Sequence, residues 1–184
     1  MKDLELIIKK CRKNDRVAQN TLFKYFADYI MNLTRRYIES KFDAKEIFLE
    51  SFEIIFRKLD QYDPNKGQFK SWISKITIRQ CLAFIKKRKL VLTDDILQYD
   101  SQSDDHIIES LEAEYLIELI NNLGKPYNLI FNMVVDGYKH KEIGELLNIE
   151  ASTSRSYYLR ARIKLKEEIL TFNKNNLTWS EEII

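Results

Sequence analysis

An all-α protein built as two helical domains is the fold class this sequence predicts, and three observations lead there. Only 4 Gly and 2 Pro interrupt 184 residues. The apolar side chains recur at spacings of three and four, the period of one helix face, rather than alternating as a strand requires. Charge falls in blocks: residues 1–90 carry 21 Lys and Arg against 11 Asp and Glu, 91–118 carry none against 9, and 119–184 carry 9 against 8, beneath a net charge of only +2. A basic first half, an acidic connector and a near-neutral second half divide the chain into modules with separate tasks. The predicted division is a four-helix bundle over 1–90, a flexible linker over 91–106, a helix-turn-helix domain over 107–171 and a fraying tail over 172–184.

The first helix spans Asp3 to Lys13, and Asn14-Asp15 breaks it and caps the next. From Arg16 to about Ser40, Leu22, Phe26, Tyr29, Ile30, Leu33 and Tyr37 keep a helical stripe. Asp43 is predicted to cap a third helix through about Leu59, with Ile47, Phe48, Phe52, Ile55, Phe56 and Leu59 facing inward. Tyr62-Asp63-Pro64-Asn65-Lys66-Gly67 is a turn, because proline fixes one backbone angle and glycine permits positive ones. A fourth helix runs from about Phe69 to Arg88 and ends in Lys86-Lys87-Arg88-Lys89. The polar segment after it is the linker. A fifth helix covers Ile107 to Leu123, and Pro126 at a first-turn position starts a sixth that reaches Val135 before Asp136-Gly137.

The last two helical patterns flank a tight turn. Lys139 to Leu147 places Ile143, Leu146 and Leu147 on one face. Asn148 tolerates the left-handed conformation that follows a helix, and Ile149 offers an apolar plug beneath the turn. Ser152 or Thr153 is expected to cap the final helix. In that helix Ser154, Tyr158, Ala161 and Leu165 face inward. Thr153, Ser156, Tyr157, Arg160 and Lys164 point out, with Arg155 and Arg162 on the flanks. Arginine forks and hydroxyls on one exposed face suit guanine edges and phosphate oxygens, so this helix reads as a major-groove reader.

Other classes find little support. No apolar run approaches the roughly 18 residues of a membrane span, and the N-terminus is too acidic for a signal peptide, so a cytoplasmic protein without membrane insertion is expected. Cys11 and Cys81 are isolated, and His106 and His140 lack partners at metal-ligand spacing, so neither metal nor cofactor is assigned. No carboxylate pair, activated nucleophile or phosphate-cradling glycine loop points to an enzyme.

These pieces, in this order, resemble a bacterial RNA polymerase sigma factor of the extracytoplasmic-function (ECF) type, a two-domain promoter-specificity subunit. The resemblance covers residues 5 to 170. It is carried by Gly-Tyr-Lys-His-Lys-Glu-Ile-Gly at 137–144, Thr-Ser-Arg-Ser at 153–156, Arg-Ala-Arg at 160–162, and Leu123 with Tyr127 and Phe131. In the first half it rests on Cys-Arg-Lys-Asn-Asp-Arg at 11–16, Asp43-Ala44, Glu46-Ile47, Glu50 with Phe52, and Phe69 with Trp72-Ile73. The resemblance implies that core RNA polymerase docks on the helix beginning at Asp43. Glu46, Glu50 and Glu53 form a carboxylate row there that suits arginines on a partner helix. Leu49 stands where the family usually has glutamine, Phe56 where it usually has tryptophan, and an exposed Leu49 would indicate a more apolar interface.

It further implies that promoter DNA is read in two places. Thr153, Arg155, Ser156, Tyr157, Arg160 and Lys164 would contact the minus-35 duplex. Tyr62, Lys66, Phe69, Lys70, Trp72, Lys75 and Arg79 would capture melted minus-ten bases, since single strands need stacking surfaces and a basic track; ordinary core is the alternative for Phe69 and Trp72, and Trp72 can do both. Arg79 replaces a frequent asparagine, so the family's base preference does not carry over. Lys86 to Lys89 fit phosphate contacts. Asp94, Asp95, Asp100, Asp104 and Asp105 match the family's linker, whose negative charge would either occupy a basic channel built for RNA or serve as a solvated spacer. An anti-sigma partner is implied as well, although no residue identifies it. The competing readings are a stand-alone helix-turn-helix regulator, which shares the second module only, and a helical adaptor that binds protein alone.

Overall fold

The computed structural model describes residues 2–91 and 111–175, with side chains described for 3–88 and 115–171. The chain divides into two compact units, residues 1–101 and 102–184. All regular structure among the described residues is helical. Most of the predicted linker, the acidic residues Asp94 to Asp105, His106, the expected helix start at Ile107 and the tail beyond Asn175 lie outside the described residues.

The first unit contains α1 (Lys2–Cys11), α2 (Arg16–Arg35), α3 (Lys41–Arg57), two 3-10 turns (Leu59–Gln61 and Pro64–Lys66) and α4 (Phe69–Val91). Asn14-Asp15 breaks the helical run between α1 and α2 as expected: Asn14 takes the left-handed conformation with φ 59°, and Asp15 is the member that caps α2, its carboxylate accepting from the N–H groups of Val17 and Ala18 at 2.9 and 3.0 Å. The helix ends earlier than its stripe suggested. Tyr37 and Ile38 leave the helix to bury themselves, and Ser40 must be extended, with φ −66° and ψ 120°, to cap α3. Ser40 accepts the Asp43 N–H at 3.2 Å, so the expectation that Asp43 caps this helix is corrected: its carboxylate instead takes the Arg88 guanidinium at 2.7 Å. Ile8, Leu22, Phe26, Ile30, Phe48, Phe52, Ile55, Leu59, Phe69 and Ile73 form one core across the four helices. Each fully buried aliphatic there contributes roughly 1.5–3 kcal/mol.

The second unit contains α5 (Leu111–Asn122), α6 (Tyr127–Val135), α7 (His140–Leu147) and α8 (Ala151–Asn175). Leu119, Leu123, Ala161 and Leu165 make its core seam, with Tyr115, Tyr127, Phe131 and Ile169 packed around them. Ile130, Met133 and Ile143 are fully buried. The final helix runs on to Asn175, so residues 172–175, expected to fray as part of the tail, are helical. The Thr171 hydroxyl donates back to the Glu167 carbonyl at 2.9 Å, and half-buried Ile169 ties this last stretch to the core.

Candidate functional site

Three surfaces gather the residues singled out by sequence. The first is the α7–α8 pair. Glu142 accepts the Lys139 N–H at 2.8 Å and secures the start of α7. Asn148 ends it in the left-handed conformation, φ 55° and ψ 50°. The turn is tight because Gly144 lacks a side chain: a Cβ there would sit 2.6 Å from the Ile149 carbonyl oxygen, which is shorter than any ordinary contact. The Ile149 N–H donates to the Gly144 carbonyl at 3.0 Å. With the turn so short, α8 begins at Ala151, and the Ser154 N–H already donates to the Glu150 carbonyl at 3.0 Å. The cap expected from Ser152 or Thr153 is therefore corrected; both lie inside the first turn of the helix.

Ser154 and Ala161 are fully buried, and Leu165 nearly so. His140 Nδ1 and the Ser154 hydroxyl lie 2.9 Å apart, a hydrogen bond that pins α7 to α8. Tyr158 stacks on Phe131, centroids 5.8 Å apart. This inner anchoring fixes which face turns outward. Arg155, Ser156, Arg160 and Lys164 are exposed, while Thr153 and Tyr157 are half-buried. Tyr127, on α6, was not among the expected DNA contacts, yet it organises one edge of this face. Its ring meets Tyr157 edge-on at 5.4 Å and lies 4.8 Å beneath the Lys164 ammonium. Arg162 is drawn back over Tyr158 at 5.9 Å.

The second surface is the loop between α3 and α4 together with the start of α4. Asp63 accepts the Asn65 N–H at 3.0 Å, Gly67 has φ 148°, and the Tyr62 hydroxyl donates to the Gly67 carbonyl at 3.2 Å. Tyr62, Phe69 and Trp72 form a cluster with centroids 5.0–5.6 Å apart. Phe69 is only 3% exposed and also packs on Phe26 at 5.4 Å. Its expected role as a stacking surface is therefore corrected to that of a core residue, because no face of its ring is open to a base. Tyr62 and Trp72 are half-buried and keep open surface. Burial first, then the Glu5 carboxylate, pushes the Tyr62 hydroxyl above its ordinary pKa, with Arg12 pulling the other way. Lys66, Lys70, Lys75 and Arg79 are exposed; the Lys70 ammonium sits 4.2 Å over the Tyr29 ring, whose hydroxyl is 2.7 Å from that of Ser74. Lys86 and Lys87 are exposed too, whereas Arg88 is committed to Asp43 and the Phe84 ring.

The third surface is the outer face of α3. Glu46, Glu50 and Glu53 are all exposed, and Glu53 pairs with Arg57 at 3.6 Å. Leu49 is 53% exposed and Phe42 79%, so the acidic row is interleaved with apolar side chains. Asp43 stands apart from it, a half-buried anchor between α3 and α4. A shallow groove beside it is lined by Glu46 and Glu50 of α3 and by Gln80, Phe84 and Lys87 of α4. Among the described residues no cluster of His, Cys, Asp and Glu could hold a metal ion, and no helix is long and apolar enough to cross a membrane.

Comparison with known proteins follows the same division. Residues 22–91 match the family Sigma-70 region 2, and residues 113–165 match Sigma-70, region 4. The ECF RNA polymerase sigma factor SigW of Bacillus subtilis (strain 168) is 24% identical over 178 residues, covering 88% of this chain and 94% of SigW. Among solved structures, the sigma factor RpoE in complex with the anti-sigma factor NepR from Bartonella quintana aligns with TM-score 0.59 at 14% identity, over 80% of this chain and 94% of that one. CnrH in complex with the cytosolic domain of CnrY aligns with TM-score 0.52 at 14% identity, over 90% and 96%.

Proposed function

Because this chain belongs to the ECF-type RNA polymerase sigma factors, we propose a division of labour among its three surfaces. The protein binds core RNA polymerase and directs promoter-specific initiation of transcription; it catalyses no bond change itself. Residues 1–90 act as the polymerase-binding and minus-ten module, 91–106 as the linker, and 107–171 as the minus-35 module. Arg155, Ser156 and Arg160 read the duplex from α8, with Thr153, Tyr157 and Lys164 along the same face. Tyr62 and Trp72 stack melted bases while Lys66, Lys70, Lys75 and Arg79 track the phosphates, a combination that serves single strands irrespective of hydrogen-bond readout. Glu46, Leu49 and Glu50 dock on the polymerase, with Glu53 at the margin and Asp43 setting the pitch of α3. The protein works in the cytoplasm, beside the polymerase. The two solved structures compared above are complexes, one of them with an anti-sigma factor, and a restraining protein of that kind is the further partner proposed here.

The carrying observation is that one chain holds both a helix-turn-helix with exposed Arg155 and Arg160 and a separate bundle presenting Glu46, Leu49 and Glu50 to solvent. A stand-alone regulator would leave the region 2 match and the α3 face without a task. Core polymerase reconstituted with the purified chain should start transcription at discrete sites, mapped by sequencing transcript 5′ ends. A chain that never forms a complex with core polymerase would overturn the reading.

A further inference from the structure

One cation from outside the aromatic loop holds its backbone in place. Arg12 follows α1 directly, and its Nε donates to the Leu59 carbonyl at 3.2 Å while its Nη2 donates to the Tyr62 carbonyl. Nε and Nη2 share one edge of the planar guanidinium, so a single side chain clasps both ends of the turn Leu59–Gln61. Asp60, between them, lies 3.9 Å from the same Nε. The Leu59 carbonyl also accepts the Tyr62 N–H at 3.2 Å. Tyr62 is thereby fixed three times: at its carbonyl by Arg12, at its hydroxyl by the Gly67 carbonyl, and at its ring by Phe69 and Trp72.

An ordinary surface ion pair does not account for this arrangement. The Asp60 side chain is 82% exposed, and pairs of that kind contribute little. The two carbonyl bonds are the specific element. A lysine keeps the charge but presents a compact ammonium that cannot reproduce the flat fork.

We infer that Arg12 is a positioning residue for minus-ten capture: it does not touch DNA but sets the loop backbone so that the Tyr62 ring stands where a melted base can stack. This rests on Tyr62 being a stacking surface, as proposed above. The test uses holoenzyme assembled from the full chain and core polymerase. The probe is a fluorescent single-stranded oligonucleotide carrying the non-template minus-ten sequence of a mapped start site. Removing one aromatic stacking partner weakens such binding by about fivefold or more, so Tyr62→Ala should show that loss, and Arg12→Lys should approach it with core-polymerase affinity and the thermal unfolding midpoint held. In the Tyr62→Ala background, Arg12→Lys should add almost nothing, because its effect passes through the ring already removed. Losses that multiply in the double variant, or capture unchanged by Arg12→Lys alone, overturn the inference while leaving Tyr62 in its role. Capture unchanged by Tyr62→Ala sinks the stacking role and this inference together.

Discussion

The two units present the residues proposed to read DNA in opposite ways. On α8 the outward face and the inward face are separate sets: Ser154, Ala161 and Leu165 are buried, and Arg155, Ser156 and Arg160 are exposed. In the first unit, the proposed reading surface and the packing share the same aromatic cluster. Phe69 is core, Trp72 and Tyr62 lean on it, and their open edges are what remains for a base. Duplex recognition by a helix needs only protruding side chains, whereas stacking a melted base needs a flat aromatic surface, and here the candidate surface is built directly on the core residue Phe69. On the proposed roles, recognition and stability are separable in the second unit and entangled in the first.

The largest expected effect tests the entangled side. Phe69→Ala removes a buried ring that touches Phe26, Tyr62 and Trp72 and should destabilise the first unit by about 3–5 kcal/mol, read from urea unfolding by circular dichroism. Minus-ten capture should fall with it. Retained stability alongside lost capture would break the comparison, because Phe69 would then be a reader rather than a wall.

Next comes the turn that lets α8 project. Gly144→Ala forces a methyl against the Ile149 carbonyl, 2.6 Å away, and the backbone has to yield. Overpacking of this kind costs ~1–3 kcal/mol, and duplex binding should weaken with it, since the angle between α7 and α8 is set there. Wild-type stability and wild-type duplex affinity in this variant would show that the turn has slack.

Arg160→Ala sharpens the separable side. The side chain is exposed, so stability should stay within about 0.5 kcal/mol, while discrimination of the cognate minus-35 sequence from altered ones drops by ~1–3 kcal/mol. Equal loss on every duplex, with a shallower salt dependence, would recast Arg160 as a phosphate contact.

Legibility in the sequence follows the range of the physics involved. The cap at Asp15, the left-handed Asn148 and the inner stripe of α8 depend on residues a few positions apart, and sequence patterns encode them. Ser40 and Asp43 are both good caps by type. The choice between them is decided by Arg88, 45 positions away, which takes the carboxylate. Phe69 could equally have been a wall or a reader until its packing on Phe26 was visible. The Arg12 clasp reaches 47 and 50 positions along the chain, and no local pattern carries it. Gly144 did leave a trace, as a glycine inside a short helix that would be stronger with alanine. Its reason, the approach of the Ile149 carbonyl, appears only in three dimensions.

The smallest expected effects lie on α3, which resembles the second unit in keeping its candidate contacts out of the core. Glu46 and Glu50 are exposed carboxylates, and exposed ion pairs contribute ~0.2–1 kcal/mol each. Reversing both to lysine should therefore weaken core-polymerase binding several-fold at low salt, mostly through slower association, and much less at high salt. Leu49 acts by a different force. Burying its exposed surface against a partner is a hydrophobic contribution that salt does not screen, so Leu49→Gln should lower affinity by a similar modest factor that persists as salt rises. Titrating fluorescent chain with core polymerase across a salt series separates the two slopes. If the Leu49→Gln loss vanishes at high salt along with the charge effect, the apolar share of the interface is disproved and docking rests on the carboxylates alone.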